Sequence, residues 1–126
     1  MTRATAKGPD RRAAERRGRL AERLAAFAYL IRGYEILERR FKASGGEADL
    51  VVRRGRLIAF VEVKSRNTND AAVLAVTPRN RRRLEQAAAR YLALRPHLGE
   101  FAVRYDIAAV AGIRVTLVRD AWRAEA

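Results

Sequence analysis

The stretch GEADLVVRRGRLIAFVEVKSR, residues 46–66, contains two runs typical of β-strands with a turn signal between them. The runs EADLVVR and RLIAFVEVK are rich in β-branched and aromatic side chains. A two-residue loop at Arg54-Gly55 would pair Arg53 with Arg56. We therefore predict a β-hairpin whose strands cover residues 47–53 and 56–64.

Charged residues occur at regular positions inside these apolar strands. Glu62 and Lys64 are two residues apart, so they share a face of their strand with Phe60. The predicted register places Asp49 opposite Phe60, with Glu62 as its diagonal neighbour about 7–8 Å away. Glu47 then lies opposite Glu62. The hairpin is therefore predicted to gather three carboxylates and one ammonium group.

Such a cluster has two interpretations. Two or three carboxylates with room for water form a site for a hard cation such as Mg²⁺ or Mn²⁺, and a neighbouring lysine can orient water or offset phosphate charge. The alternative is a ladder of surface ion pairs formed by Glu47, Glu62 and Lys64. The apolar Ile58 and Phe60 on the same face argue against full solvation of that face.

Composition narrows the classes of function. The 126 residues include no cysteine and one histidine, His97, which excludes disulfides and thiolate metal sites and disfavours a histidine-based zinc site. No apolar run reaches the roughly 20 residues that span a bilayer, so we expect a cytoplasmic protein without a membrane partner. The net charge of +13 favours a polyanionic partner, for which nucleic acid is the commonest candidate, although acidic lipid or a ribosomal partner fits the charge equally well.

The N-terminal region predicts a tail followed by one long helix. We expect a disordered basic tail over residues 1–9 and a single domain over residues 10–126, with Asp10 at the start of the helix. Leu20, Leu24, Phe27 and Ile31 form an apolar stripe at helical spacing. A second face carries only small residues, so we expect this helix to pack on two sides; those residues are Ala14, Gly18, Ala21, Ala25 and Ala28.

The remaining pattern predicts a mixed sheet. We expect a short strand over residues 34–40, a polar loop at the start of residues 65–76, and a helix from Thr77-Pro78 to about Leu94. Two alternating strands follow, over residues 101–110 and from Ile113 onward. The order α-β-β-β-α-β-β predicts an α/β domain with helices packed on a mixed sheet.

Residues 46–66 resemble the signature of the YraN family, small bacterial proteins related to Holliday-junction resolvases in the PD-(D/E)xK, or restriction-endonuclease-like, superfamily. The similarity covers roughly residues 16–110. Upstream it includes Gly18, Glu22, Ala25, Tyr29, Leu30 and Gly33-Tyr34. Downstream it includes Arg82-Arg83-Leu84, Ala88, Tyr91-Leu92 and Tyr105-Asp106-Ile107.

The resemblance implies a restriction-endonuclease-like core, a mixed sheet of about five strands with two main flanking helices. It implies that Asp49 and Glu62 bind the metal, that Lys64 is the catalytic lysine, and that Glu22 contributes to the site. It also implies a homodimer, since related resolvases act as dimers. Three positions depart from the family pattern: Ala21 replaces a usual glycine, Arg40 a typical asparagine and Ala48 a usual isoleucine.

Other charged and aromatic residues carry weaker predictions. Cations are disfavoured at a helix N-terminus, which suggests that the arginines opening the second helix contact phosphates, with a solvated helix face as the alternative; these are Arg79, Arg81, Arg82 and Arg83. We expect Asp106 to pair with an arginine such as Arg114, with a peripheral role in the site as the alternative. Trp122 is expected to be a packing anchor rather than a platform for bases.

Two hypotheses of function follow. The first is a Mg²⁺- or Mn²⁺-dependent endonuclease, or nuclease-like protein, acting on DNA, with branched DNA implied only by the resemblance. The alternative is a catalytically inactive nucleic-acid-binding or interaction module that retains the fold. DNA is favoured over RNA through the resemblance alone.

Overall fold

Five strands form one mixed sheet, and their order across the sheet is their order along the chain. The computed structural model describes the backbone of residues 3–124 and the side chains of residues 11–124. The helices are α1 (Arg3–Leu30), α2 (Asn69–Leu74) and α3 (Pro78–Ala93). The strands are β1 (Glu35–Ala43), β2 (Gly46–Arg54), β3 (Leu57–Ser65), β4 (Ala102–Ala111) and β5 (Arg114–Trp122), with a 3₁₀ turn at Pro96–Leu98.

The helices cover both faces of the sheet. Strands β3 and β4 are parallel and all other neighbours are antiparallel. A parallel pair needs a crossover connection, which here contains α2 and α3. Helix α3 packs on the face that includes Ile58 and Phe60, whereas α1 packs on the face that includes Leu50 and Val52. The α/β class, the five-stranded mixed sheet and the two main flanking helices are confirmed, and they agree with a restriction-endonuclease-like core.

Helix α1 packs through its small side chains. Ala21, Ala25 and Ala28 are buried, because methyl side chains let the helix lie close to the sheet. The stripe of large apolar residues faces away from the sheet, with Phe27 61% and Ile31 64% exposed. Within the described domain, therefore, only one of the two faces predicted to pack does so.

The start of α1 also differs from the prediction. The helix begins at Arg3 rather than near Asp10. The side chains of residues 1–10 lie outside the described part of the structure, so the predicted mobile character of residues 1–9 stays a prediction.

The β2–β3 hairpin turns one residue later than predicted. Its two-residue loop is Gly55-Arg56, because Arg54 pairs with Leu57. Gly55 has a φ of 61°, which suits glycine at the first central position of a tight hairpin turn. The partner of Phe60 is therefore Val51 and not Asp49; the pairing ends at Leu50 and Val61, and Asp49 and Glu62 are the next residues on their strands. The shift moves the partner by two residues, so the predicted faces are preserved.

Hydrogen bonds from capping residues determine where the two helices of the crossover begin. Thr77 accepts a hydrogen bond from the N–H of Asn80, whose side chain accepts one from the N–H of Thr77, which confirms the predicted helix start at Pro78. The segment predicted as a polar loop contains the short helix α2, capped by Thr68, whose side chain accepts from the N–H of Ala71. Six residues are too few to produce a helical repeat in the sequence.

Across residues 3–124 we find no helix with the length and apolarity that crossing a membrane requires.

Candidate active site

The central hairpin and α3 enclose a small polar cavity of about 170 Å³. Its walls contain the four charged residues that the sequence predicted to converge, together with two residues of α3. They are Glu47 and Asp49 of β2, Glu62 and Lys64 of β3, and Asn80 and Arg83 of α3. The structure therefore brings Asp49, Glu62 and Lys64 together beside a cavity.

Close packing of the hairpin on α3 forms this cavity. A side-chain carbon added to Gly46 would lie 2.5 Å from the backbone nitrogen of Ala87 and 2.7 Å from the carbonyl oxygen of Arg83. Only glycine permits this approach without a shift of backbone. Gly46 thus allows the start of β2 to lie against α3, which places Arg83 beside Glu47.

The two carboxylates predicted to bind metal have different partners. Asp49 accepts a hydrogen bond of 2.7 Å from the backbone N–H of Val63. Glu62 lies 3.3 Å from the ammonium nitrogen of Lys64, and both side chains are largely shielded from solvent, at 15% and 22% exposure. The lysine therefore neutralises Glu62, while Asp49 has a backbone donor and, among the side chains of residues 11–124, no cation in direct contact.

Both carboxylates resist ionisation. Burial, and then the negative charge of Glu62, raises the pKa of Asp49 to about 7, against the lowering effect of the Val63 N–H. Burial also raises the pKa of Glu62, although Lys64 opposes that shift. A cation placed between these carboxylates would favour their charged forms.

Glu47 and Glu22 each pair with an arginine. An oxygen of Glu47 lies 3.5 Å from Nη2 of Arg83 across the cavity. Glu22 does not line the cavity; it accepts a hydrogen bond of 2.8 Å from Nε of Arg40. Its charge still contributes to raising the pKa of Asp49. Within residues 11–124, no three or more acidic or histidine side chains are grouped so that they could hold a metal ion.

Arg40 has an unusual backbone conformation beside the site. Its φ is 54°, in the left-handed region that asparagine tolerates better than arginine. Asparagine is the residue that the resemblance gives as typical at this position. The guanidinium group of Arg40 lies near acidic side chains. The hydrogen bond to Glu22 and the charges of Glu22, Asp49 and Glu47 therefore raise the pKa of Arg40.

The four arginines predicted to contact phosphates have different environments. Arg79 and Arg82 are exposed, and Arg83 lines the cavity. Arg81 is partly buried, with its guanidinium carbon 5.1 Å from the centre of a Trp122 ring and its Nε without a hydrogen-bond partner. This contact leaves Arg81 the least available of the four for phosphate.

The sequence pattern alone did not predict that Asn80 and Arg83 lie beside the carboxylates. The two residues are three apart on α3, so they share a helix face. That spacing could have grouped them with each other. Only the packing of α3 on Gly46 directs that face toward the carboxylates.

Asp106 is buried on the opposite, α1-facing side of the sheet. It accepts hydrogen bonds from the hydroxyl of Tyr29 at 2.8 Å, from Arg104 at 2.8 Å, and from the N–H of Asp120 at 3.0 Å. The expected pairing with an arginine is confirmed, but the partner is Arg104 of the same strand and not Arg114 of the neighbouring strand. Arg104 lies two residues from Asp106 on the same strand and therefore on the same face, closer than any arginine of β5.

Trp122 is a packing anchor, as predicted. Its ring stacks on Tyr105 with centroids 5.4 Å apart and an interplanar angle of 8°. Its indole N–H donates a hydrogen bond of 2.8 Å to Glu85. These contacts tie β5 to β4 and α3.

Comparison with known proteins assigns the chain to a family. The family described as Uncharacterised protein family UPF0102 matches residues 21–110, most of the chain. The chain belongs to the UPF0102 family. The resemblance to the YraN family is thereby confirmed. The matched span includes Glu22 and all six residues of the cavity, whereas β5 lies outside it.

Curated UPF0102 proteins are similar over most of their length. The chain is 50% identical over 116 residues to the UPF0102 protein of Paramagnetospirillum magneticum, covering 88% of this chain and 90% of that protein. It is 46% identical over 112 residues to that of Parvibaculum lavamentivorans, covering 88% and 84%. It is 52% identical over 101 residues to that of Methylobacterium nodulans, covering 80% and 78%.

Proposed function

We propose that this UPF0102 protein is a Mg²⁺- or Mn²⁺-dependent nuclease that hydrolyses phosphodiester bonds in DNA. One observation carries the proposal: Asp49, Glu62 and Lys64 line a single cavity between the central hairpin and α3. Charged groups are rarely placed in partly buried strands without a functional reason, because burial of charge costs free energy. The strongly basic chain supports a polyanionic substrate.

The donor groups fit a hard divalent cation. Such ions prefer carboxylate oxygens and water, and Asp49 and Glu62 provide two carboxylates beside a cavity with room for water. Both carboxylates have raised pKa values, so a cation would relieve an electrostatic cost that the protein otherwise carries. When bound, the ion would supply positive charge that stabilises the negative charge developing on the phosphoryl group.

The remaining cavity residues would act on water and phosphate. Lys64 has an ammonium group 3.3 Å from Glu62 and can donate a hydrogen bond to the attacking water or to a phosphate oxygen. Arg83 and Asn80 carry hydrogen-bond donors on the α3 side of the same cavity. We propose that they orient the phosphate group against Lys64.

Glu22 would assist from outside the cavity. Its pairing with Arg40 and its effect on the pKa of Asp49 support an electrostatic contribution to the site. The exposed Arg79 and Arg82 would contact DNA phosphates, which makes binding strongly dependent on salt concentration.

A cleavage assay tests this function. Single-stranded, duplex and four-way-junction DNA, and RNA of matched sequence, are incubated with the wild type in Mg²⁺, Mn²⁺ or EDTA. We expect cation-dependent cleavage of DNA that Asp49→Asn and Lys64→Ala abolish while binding is retained. Asp70→Asn, an exposed aspartate of α2, is the matched control and should cleave as the wild type does.

An inactive binding module is the second candidate. The observation that favours it is the pairing of Glu62 with Lys64 and of Glu47 with Arg83, which satisfies two carboxylates without a metal ion. Binding of DNA by the wild type without cleavage in either metal, together with no Mn²⁺ binding by calorimetry, would establish this candidate and refute the first.

We also propose a homodimer, which the resemblance to resolvases implies. The surface that such a dimer would bury is an exposed apolar patch at the end of α1, formed by Phe27, Leu30 and Ile31. Sedimentation velocity should give a dimer for the wild type and a monomer for Phe27→Asp. A monomeric wild type at micromolar concentration would contradict the proposal.

A further inference from the structure

A second depression lies at the same end of the sheet as the candidate site, on the α1 side. It is a groove of about 840 Å³ between α1, the segment that follows β3, and the β4–β5 turn. Its described lining includes two arginines and no acidic residue. The side chains used below are Arg17 and Leu20 of α1, Ser65 at the end of β3, Arg66 and Asn67 after it, and Ile113 of the turn.

Ile113 projects from the tip of the β4–β5 hairpin. Ala111 pairs with Arg114, so Gly112 and Ile113 form the two-residue turn. The side chain of Ile113 is 82% exposed. Turns favour glycine, asparagine, aspartate, proline and serine, so neither turn formation nor packing explains an isoleucine here.

The hairpin that carries Ile113 is held firmly in place. The side-chain amide of Asn69 donates to the carbonyl of Ala109 at 2.9 Å and to that of Arg114 at 3.4 Å. The backbone N–H of Arg66 donates to the carbonyl of Val110 at 3.1 Å. The apolar tip is therefore fixed relative to α2 and to the end of β3.

Ile113 stands between two depressions with cationic residues. A further depression of about 440 Å³ shares Ile113 and Asn67 with the groove and is lined by Arg114 on its other side. Among its described lining residues there is again no acid. An exposed apolar tip thus has Arg17 and Arg66 on one side and Arg114 on the other.

We infer that Ile113 is a wedge that enters an opened base step of bent or branched DNA, while Arg17, Arg66 and Arg114 hold phosphates on either side of it. Proteins that deform DNA insert apolar side chains such as isoleucine between base pairs and bind the flanking phosphates with arginine and lysine. The groove begins at Ser65, the residue after Lys64, so DNA held there lies beside the candidate site at the edge of the sheet.

This inference rests on the proposed function in taking DNA as the substrate, and it adds the residues that would distinguish branched from linear DNA. A linear duplex offers no opened step and would gain little from Ile113. A four-way junction offers unstacked bases at its branch point. Ile113 should therefore determine the preference for junction over duplex, whereas the arginines should contribute to both.

The test uses a four-way junction and a linear duplex, each with 2-aminopurine at the equivalent base. This base fluoresces more strongly when it is unstacked. Wild type and the matched control Leu74→Ala, whose side chain is 83% exposed on α2 outside both depressions, should increase the fluorescence of the junction. Ile113→Ala should not, and it should lose about tenfold in junction-over-duplex affinity, with duplex affinity unchanged.

The arginines are tested through salt dependence. Replacing Arg17 and Arg66 together by alanine should weaken binding of junction and duplex alike and reduce the slope of log affinity against log salt by about 2. Replacing Arg119 and Arg123 together by alanine, both exposed and outside both depressions, is the matched control and should change the slope less.

The outcomes separate this inference from the proposed function. Opening of the junction without cleavage in either metal would support the wedge and refute the nuclease. Cleavage without opening, or an unchanged junction preference in Ile113→Ala, would refute the wedge and leave the nuclease intact. No binding of any DNA by the wild type would overturn both.

Discussion

Two carboxylates on opposite faces of the sheet, Asp106 and Asp49, differ in how their charge is satisfied. Asp106 is fully buried, and Arg104, Tyr29 and the N–H of Asp120 donate to its oxygens. Asp49 has one backbone donor, from Val63, and shares a cavity with a second carboxylate, Glu62. Asp106 has a cation of its own, Arg104, whereas the lysine of the cavity, Lys64, pairs with Glu62 rather than with Asp49. The comparison separates a structural carboxylate from a candidate functional one.

Removing the cation beside Asp106 should have the largest effect on stability. Arg104→Ala leaves a fully buried carboxylate without its ion-pair partner and removes a hydrogen bond to Tyr34, so we expect a loss of about 3–5 kcal/mol in the free energy of unfolding. Urea denaturation followed by circular dichroism measures it. Arg123→Ala, which breaks the exposed pair with Asp120, is the control and should cost less than about 1 kcal/mol.

Neutralising Asp49 should raise the free energy of unfolding, whereas removing Arg104 lowers it. With its pKa raised to about 7, Asp49 keeps a proton in the folded protein that the unfolded chain loses near pH 4. The folded state then binds more protons, so the free energy of unfolding falls as pH rises from about 4 to 7. In EDTA at pH 8 we expect Asp49→Asn to be more stable than the wild type, by on the order of 1–2 kcal/mol.

Three comparisons check this second prediction. The advantage of Asp49→Asn should shrink at pH 5, where the wild-type carboxylate is protonated. Added Mg²⁺ should stabilise the wild type but not the variant, because only a ligand bound to the folded state raises stability. A gain of equal size in Asp70→Asn would show that the effect comes from net charge rather than from the site.

Removing Lys64 should affect activity far more than stability. Lys64→Ala breaks an ion pair whose side chains are 22% and 15% exposed, so we expect a loss of about 1–2 kcal/mol in the free energy of unfolding, smaller than for Arg104→Ala. Cleavage should fall by at least about 100-fold, as expected for a group that transfers or orients a proton. A large loss of stability with a small loss of cleavage would show that Lys64 has a structural role, as Arg104 does.

The smallest expected effect concerns Arg40. Arg40→Asn and Arg40→Ala both remove the pair with Glu22, but asparagine tolerates the φ of 54° better than alanine. The asparagine variant should be more stable by about 0.5–1 kcal/mol, measured by urea denaturation. Equal stabilities would mean that the backbone relaxes when the arginine is removed.

The amino-acid sequence by itself predicted most of the elements and the cluster of charged groups. The alternation of side chains along the hairpin predicted that Asp49, Glu62 and Lys64 share one face. The observed turn lies one residue later than predicted and moves each cross-strand partner by two residues. The shared face is unchanged because the side-chain repeat of a strand is two residues. The helix start at Thr77-Pro78 was predictable for the same reason, because its cap is formed by neighbouring residues. These features depend on residues close in sequence, whose geometry is set by the backbone.

Only the tertiary structure decided which partners these residues have. The packing of α3 on Gly46 brought Asn80 and Arg83 to the cavity, and the small face of α1, rather than its apolar stripe, packed on the sheet. The partner of Asp106 likewise proved to be Arg104 with Tyr29, instead of Arg114. Such choices depend on the relative positions of elements far apart in the chain, which local periodicity does not contain.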